Sequence, residues 1–211
     1  MNLDLLQDQC REYLSDKLPA DAAHDLSHIK RVVKNTIYLT DIESANELIT
    51  LPAAWLHDCV AVPKDSPLRA RGSALAAEAA QTFLQDIGYP AELLADVYHA
   101  IEAHSYSAAI PTRTLEARVV QDADRIDSLG AIGVARCLLV GGKLDRPLCD
   151  AEDPFCDQRE PDDSKYTLDH FYQKLFKLPG TMQTEAGREE AERRAEIMRQ
   201  YLDQLREEIT L

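Results

Sequence analysis

The sequence predicts an all-α fold built as a single domain over residues 1–211. Apolar side chains recur every three to four residues in almost every segment, the spacing that lines one face of a helix. No alternation of period two survives more than four residues, and no internal repeat is present. With 45% hydrophobic and 28% charged side chains among 211 residues, and only 8 Gly and 10 Pro, the chain is an ordinary globular one. It is long enough to bury a core without disulfide staples.

Each element follows from its own pattern. Residues 3–18 set Leu3, Leu6, Cys10, Tyr13 and Leu14 on one helical face, and Pro19 ends the run. Over 25–39, Ile29, Val32, Val33, Thr36, Ile37 and Leu39 fill one half of the wheel and Arg31, Lys34 and Tyr38 the other, with His28 at the seam. Residues 48–60 are apolar nearly all round, which predicts a buried helix ending in His57 and Asp58. Helices over 75–87 and 93–104 follow. A long one spans 115–140, with a break at Gly130 or Gly133. Residues 141–165, through Pro147, Pro154 and Pro161, read as an irregular acidic loop, and its 148–164 portion as a lid over a pocket. Helical period resumes over 166–177, and 185–211 closes the chain under a solvated cover of Glu and Arg.

Charge and cysteine usage narrow the function classes. With 23 basic against 37 acidic side chains the formal charge is -14, so no general basic surface exists to hold long nucleic acid. Any phosphate that binds must be attracted by something local. No apolar run approaches the roughly 18 to 20 residues that cross a bilayer, and the first ten residues alternate Leu with Asp and Gln, so a cytoplasmic protein without a membrane partner is expected. Cys10, Cys59, Cys137, Cys149 and Cys156 are odd in number and scattered, which favours reduced thiols over a disulfide framework or a zinc knuckle.

Chemistry-bearing residues concentrate in three places within 24–127. His24 and His28 are four residues apart, with Arg31 three beyond, all within about 60° of one another on a helix. His57 and Asp58 directly follow a hydrophobic run, where burial is costly unless a metal or a partner satisfies them. In the segment 119–127, the wheel turns Asp124 and Asp127 toward the apolar face and Asp122 nearly opposite, beside Arg118 and Arg125. Two imidazoles and two carboxylates suit a divalent cation such as Mn, Mg, Ni, Co, Fe or Zn, with positions left for water and substrate. Taken singly, each of these residues also reads as a satisfied core or surface group.

In this order the residues resemble the HD-domain metal-dependent phosphohydrolases, marked by H, then HD, then D. His28 matches the first histidine within an H-D-x-x-H-x-x-R-V version of the motif, His57 and Asp58 match the HD pair, and Asp124 in the run from Asp122 to Arg125 matches the last aspartate. The stretches 104–107, 129–133, 166–171 and 174–179 are similar to those of the bacterial YedJ-like subgroup, so the likeness extends over nearly the whole chain.

The resemblance implies an all-helical fold in which His28, His57, Asp58 and Asp124 converge on one divalent metal. It further implies hydrolysis of a small phosphorylated substrate, with a nucleotide as the preferred class, by attack of metal-activated water on phosphorus. Asp58, Asp127 and His104 are then the candidate catalytic groups, Asp127 by orienting a ligand or water and His104 by facing substrate or a second metal. Arg31, Arg125, Lys64, Arg71 and Lys174 are candidate phosphate contacts. His99 and His104, five residues apart, diverge by about 140° on a helix, which favours one metal over two. The segment after the HD pair, Cys59-Val60-Ala61-Val62, lacks the Glu-Asp of alarmone hydrolases, and Gly88-Tyr89-Pro90 reads as a turn between helices and not as the signature of the cyclic-dinucleotide branch. The alternative functions are a non-catalytic metal- or nucleotide-binding sensor and a purely structural adaptor. A homo-oligomer is compatible with either.

Overall fold

A computed structural model describes residues 2–15, 26–62, 66, 68, 71–105 and 108–209. Nine α-helices and no strand occur among the described residues: α1 (Leu3–Ser15), α2 (Leu26–Glu43), α3 (Glu47–Leu56), α4 (Gly72–Asp86), α5 (Leu94–His104), α6 (Leu115–Ile126), α7 (Gly130–Lys143), α8 (Asp169–Gln173) and α9 (Glu185–Ile209). The all-α expectation holds, and among the described residues no helix is long and apolar enough to cross a membrane. Packing divides the chain into two compact units, Met1–Asp124 and Arg125–Leu211, with the division falling inside α6. None of the five cysteines is in a disulfide.

The first unit has α3 at its centre. Ala53, Ala54 and Leu56 are fully buried, α3 packs on α1, α2, α4 and α5, and the indole Nε1 of Trp55 donates to Gln7 Oε1 at 3.3 Å. On α1, Leu6, Cys10 and Leu14 are buried as their spacing predicts, and the Tyr13 ring stacks on Phe83 of α4 with centroids 4.1 Å apart. Burial holds the thiol of Cys10 as the neutral form, its pKa pushed up to about 12 with a further contribution from nearby Cys59. Ala76, Ala77 and Ala80 of α4 and Ala100 and Ala103 of α5 are all buried, and the two helices pack on each other.

Pro52 lies inside α3 and has no N–H to give to the carbonyl of Leu48 one turn before it. The hydroxyl of Tyr89 donates to that carbonyl instead. Tyr89 belongs to the Gly88-Tyr89-Pro90 turn, where Gly88 adopts φ 73 and links α4 to a 3-10 turn over Ala91–Leu93. Burial, first of all, holds the phenol above its usual pKa, which keeps it a donor.

Two sequence expectations are corrected by the structure and a third is borne out. The helix of 48–60 stops at Leu56, so His57 and Asp58 lie just past its end. Ile37, placed on the inward half of α2, is 48% exposed, because the buried stripe runs through Ile29, Val32, Thr36 and Leu39. The expected break in 115–140 falls at Gly130: α6 ends at Ile126, and α7 starts at Gly130, whose φ of 72 makes the turn.

In the second unit α7 packs against α9. The acidic segment is irregular but tied down. Asp153 accepts the backbone N–H groups of Asp157, Gln158 and Arg159 at 2.9, 2.8 and 3.1 Å. The guanidinium of Arg159 forks onto both oxygens of the buried Asp169, at 2.5 and 2.8 Å. Burial alone would raise the Asp169 carboxyl, but Arg159 and the N–H of Asp162 together hold it below its ordinary value.

Candidate metal centre

Helix ends build the site, and all of its residues belong to the first unit. His57 is the residue after the last of α3. Its Nδ1 lies 2.7 Å from the carbonyl oxygen of Ala54, which can only accept, so Nδ1 carries the proton and Nε2 is left with a lone pair. His104 is the last residue of α5 and does the same with the carbonyl of Ile101, at 2.6 Å. Each imidazole thus caps a last-turn carbonyl of its own helix while aiming Nε2 inward. Asp124 lies in the last turn of α6, and His28 in the first turn of α2.

These side chains converge. His28 Nε2 stands 3.5 Å from Asp124 Oδ1 and 3.9 Å from Asp58 Oδ2. His57 Nε2 is 3.7 Å from Asp58 Oδ2 and 3.9 Å from Asp124 Oδ1. His104 Nε2 is 3.6 Å from the other Asp58 oxygen, Oδ1. The rings of His28 and His57 meet edge to face at 5.5 Å, and those of His57 and His104 at 4.9 Å. Ligand atoms of His28, His57 and Asp58 all lie within 4.8 Å of one another, with both histidines buried and Asp58 partly so.

The arrangement fits a divalent cation. Ligands about 2.1 Å from a shared metal lie roughly 3.0 to 4.2 Å apart as the angle between them opens from a right angle to a straight line. The Nε2–Oδ distances, 3.5 to 3.9 Å, fall in that interval. Nε2 of His57 is fully buried and has no hydrogen-bond partner among the described residues, an acceptor left without a donor unless an electrophile occupies the space it faces. Three helix C-termini, those of α3, α5 and α6, contribute partial negative charge at the same place.

Electrostatics divides the histidines. Burial holds His57 below its ordinary pKa, against the pull of Asp58 and Asp124, so it is neutral and ready to ligate. For His104 burial acts in the same sense but is outweighed by the hydrogen bond and charge of Asp58, the charge of Asp124 and the Ile101 carbonyl, and its pKa is raised.

The remaining candidates are placed as follows. Arg31 donates to Ser27 Oγ at 3.1 Å, within the first two turns of α2. Arg71 is exposed, 3.7 Å from Glu78. His99 is turned from His104 to its own partners: its Nε2 accepts the Arg113 N–H at 3.0 Å and its Nδ1 lies 3.0 Å from Glu102. Arg125, Asp127 and Lys174 belong to the second unit, where Arg125 donates to the Thr181 carbonyl at 2.8 Å, the buried Asp127 is paired with Arg136 at 2.6 Å, and Lys174 is exposed. His24 and Lys64 lie outside the described residues.

Asp122, expected to point away from the apolar face, is completely buried. The wheel fails because α6 is covered on all sides here: every residue from 119 to 123 is buried, so no outward face exists to receive a carboxylate. Sequence reasoning also passed over two buried amides, Asn35 and Gln121. Gln121 Nε2 donates to the carbonyl of Ala103 at 2.7 Å, immediately before His104. The signal was available as a polar residue amid buried apolar neighbours.

Comparison with known proteins shows the family. The sequence model of the HD domain matches residues 25–129. An uncharacterized protein of Bacillus subtilis, YpgQ, is 30% identical over 207 residues, covering 96% of this chain and 93% of that protein. The chain belongs to the HD-domain superfamily of metal-dependent phosphohydrolases. Among solved structures, an HD-superfamily hydrolase from Bacillus thuringiensis is 33% identical with a TM-score of 0.75, covering 98% of this chain and 97% of that one. The crystal structure of YpgQ in complex with ADP is 31% identical with a TM-score of 0.73, over 96% of this chain and 97% of that one.

Proposed function

We propose that the protein is a metal-dependent phosphohydrolase of a nucleotide, within the YedJ-like subgroup and acting in the cytoplasm. The observation that carries this reading is the buried cluster of His28, His57 and Asp58 with the partnerless Nε2 of His57, in a chain of the HD superfamily. The nucleotide rests on the resemblance stated above and on YpgQ, a relative solved with ADP.

His28, His57, Asp58 and Asp124 are assigned to the metal. A bound divalent ion supplies Lewis acidity and an activated water. His57 holds Nε2 deprotonated through its Nδ1–H bond to Ala54, and Asp58 divides its oxygens, Oδ2 toward His28 and His57 and Oδ1 toward His104. His104, raised in pKa beside Asp58, is suited to hold a proton next to the reacting phosphate. Arg31, one turn beyond His28, is the first candidate to neutralise phosphate oxygens.

The test is a screen of nucleoside mono-, di- and triphosphates with Mn, Mg, Ni and Co. Turnover is expected for at least one pair and is lost in His57→Ala and Asp58→Ala. Binding of metal and nucleotide without turnover under every condition overturns the enzyme reading in favour of a sensor. Arg31→Ala, Lys64→Ala, Arg71→Ala, Arg125→Ala, Lys174→Ala and Asp127→Asn in the same assay rank the remaining contacts by KM and kcat.

A further inference from the structure

The helix that carries His28 also carries a grip on the segment that delivers Asp124. Asn35 lies seven residues, two turns, beyond His28 and so shares its face of α2. It is buried along with Ile29, Val32, Val33, Thr36, Leu39 and Thr40 of the same helix. Its Nδ2 donates to the carbonyl of Ala123 at 3.1 Å, across 88 positions of sequence. Ala123 directly precedes Asp124, whose Oδ1 stands 3.5 Å from His28 Nε2.

Two physical arguments give this bond a role. Ala123 is in the last turn of α6, and the bond from Asn35 to its carbonyl ties that turn to α2. A buried amide is costly unless bonded, so a buried asparagine is accounted for by what it holds. What it holds is the peptide group next to a short carboxylate with only two rotatable bonds, so a shift of the Ala123 backbone is passed almost undiminished to the Asp124 oxygens.

We propose that Asn35 is a positioning residue for the metal centre: by gripping the Ala123 carbonyl it sets the distance at which Asp124 meets His28. This rests on the assignment of Asp124 to the metal made above. Asn35 touches neither metal nor substrate and acts through Asp124.

The experiment titrates Co2+ into metal-stripped full-length protein, reading affinity and the visible absorption band, with folding followed by circular dichroism. Asn35→Leu keeps the volume and removes the donor; Asn35→Asp is nearly isosteric and sets an acceptor against the carbonyl. Leu84→Ala, a truncation of the fully buried leucine on α4, is the control for loss of stability alone. Both Asn35 variants are expected to weaken Co2+ binding by at least about tenfold and to alter the band, while Leu84→Ala retains both. Parental affinity and spectrum in either folded Asn35 variant overturns the proposal, and so does an equal loss in Leu84→Ala. Absence of Co2+ uptake by the unsubstituted protein overturns the metal assignment itself, and is seen before any variant is compared.

Discussion

A histidine at the end of a helix has two nitrogens and two demands to meet, a carbonyl of the last turn and whatever lies beyond it. His57 and His104 divide the work identically, Nδ1 to the carbonyl three residues back and Nε2 to the cluster. His28, His57, Asp58 and Asp124 were legible as a group because their residue types and order are those of a ligand set. Asp127 shows what residue type alone does not decide. It lies on the same side of the wheel as Asp124, and its carboxylate is buried and paired with Arg136 at 2.6 Å in the second unit. Removing one member of a buried pair leaves a charge without its partner, which is costly, whereas removing both is cheap. Arg136→Met is therefore expected to destabilise the fold by about 3 kcal/mol, and the further change Asp127→Asn to recover much of that loss. Urea unfolding of the two variants checks it; equal stability of the single variant and the parent would contradict the pairing as a stability determinant.

Helices were the most legible level, because periodicity is local and recurs many times. Their ends were less so. The proline of α3 illustrates why: its sequence position predicts a broken hydrogen bond at Leu48, but the repair comes from Tyr89, 41 residues away. The Gly88-Tyr89-Pro90 turn, which resembles a signature of another branch of the superfamily, is accounted for by that repair and by the turn at Gly88. Tyr89→Phe should leave the Leu48 carbonyl buried without a donor and cost about 1 to 3 kcal/mol. In a Pro52→Ala background, where the helix supplies its own N–H, the same change should cost clearly less. Thermal melts of the four proteins form the cycle, and an undiminished cost in the Pro52→Ala background would show that the hydroxyl serves something other than that carbonyl.

For the molecule as a whole, a formal charge of -14 disfavours a polyanionic partner, while a cluster that gathers a cation gives a small phosphorylated compound a local place to bind. Because a ligand of the folded state stabilises it in proportion to the logarithm of its concentration, Mn2+ should raise the melting temperature, by an amount equivalent to about 2.7 kcal/mol at a hundred times Kd. EDTA should reverse the rise and His57→Ala should abolish it; a melting temperature indifferent to Mn2+ in the parent would count against a folded-state metal site. The sequence by itself determined that the chain is all-helical, that it carries the ligand types of an HD centre in the right order, and that its core helix runs up to His57. These are properties of neighbours along the chain or of residue chemistry, and need no third dimension. Only the tertiary structure decided that Asp122 is buried, that Asp127 belongs to Arg136, that His104 meets Asp58 while His99 turns to Arg113, and that Asn35 holds the backbone beside Asp124. Each depends on which helix end meets which and on whether a helix is covered on one side or all round, and that is set by contacts between residues far apart in sequence.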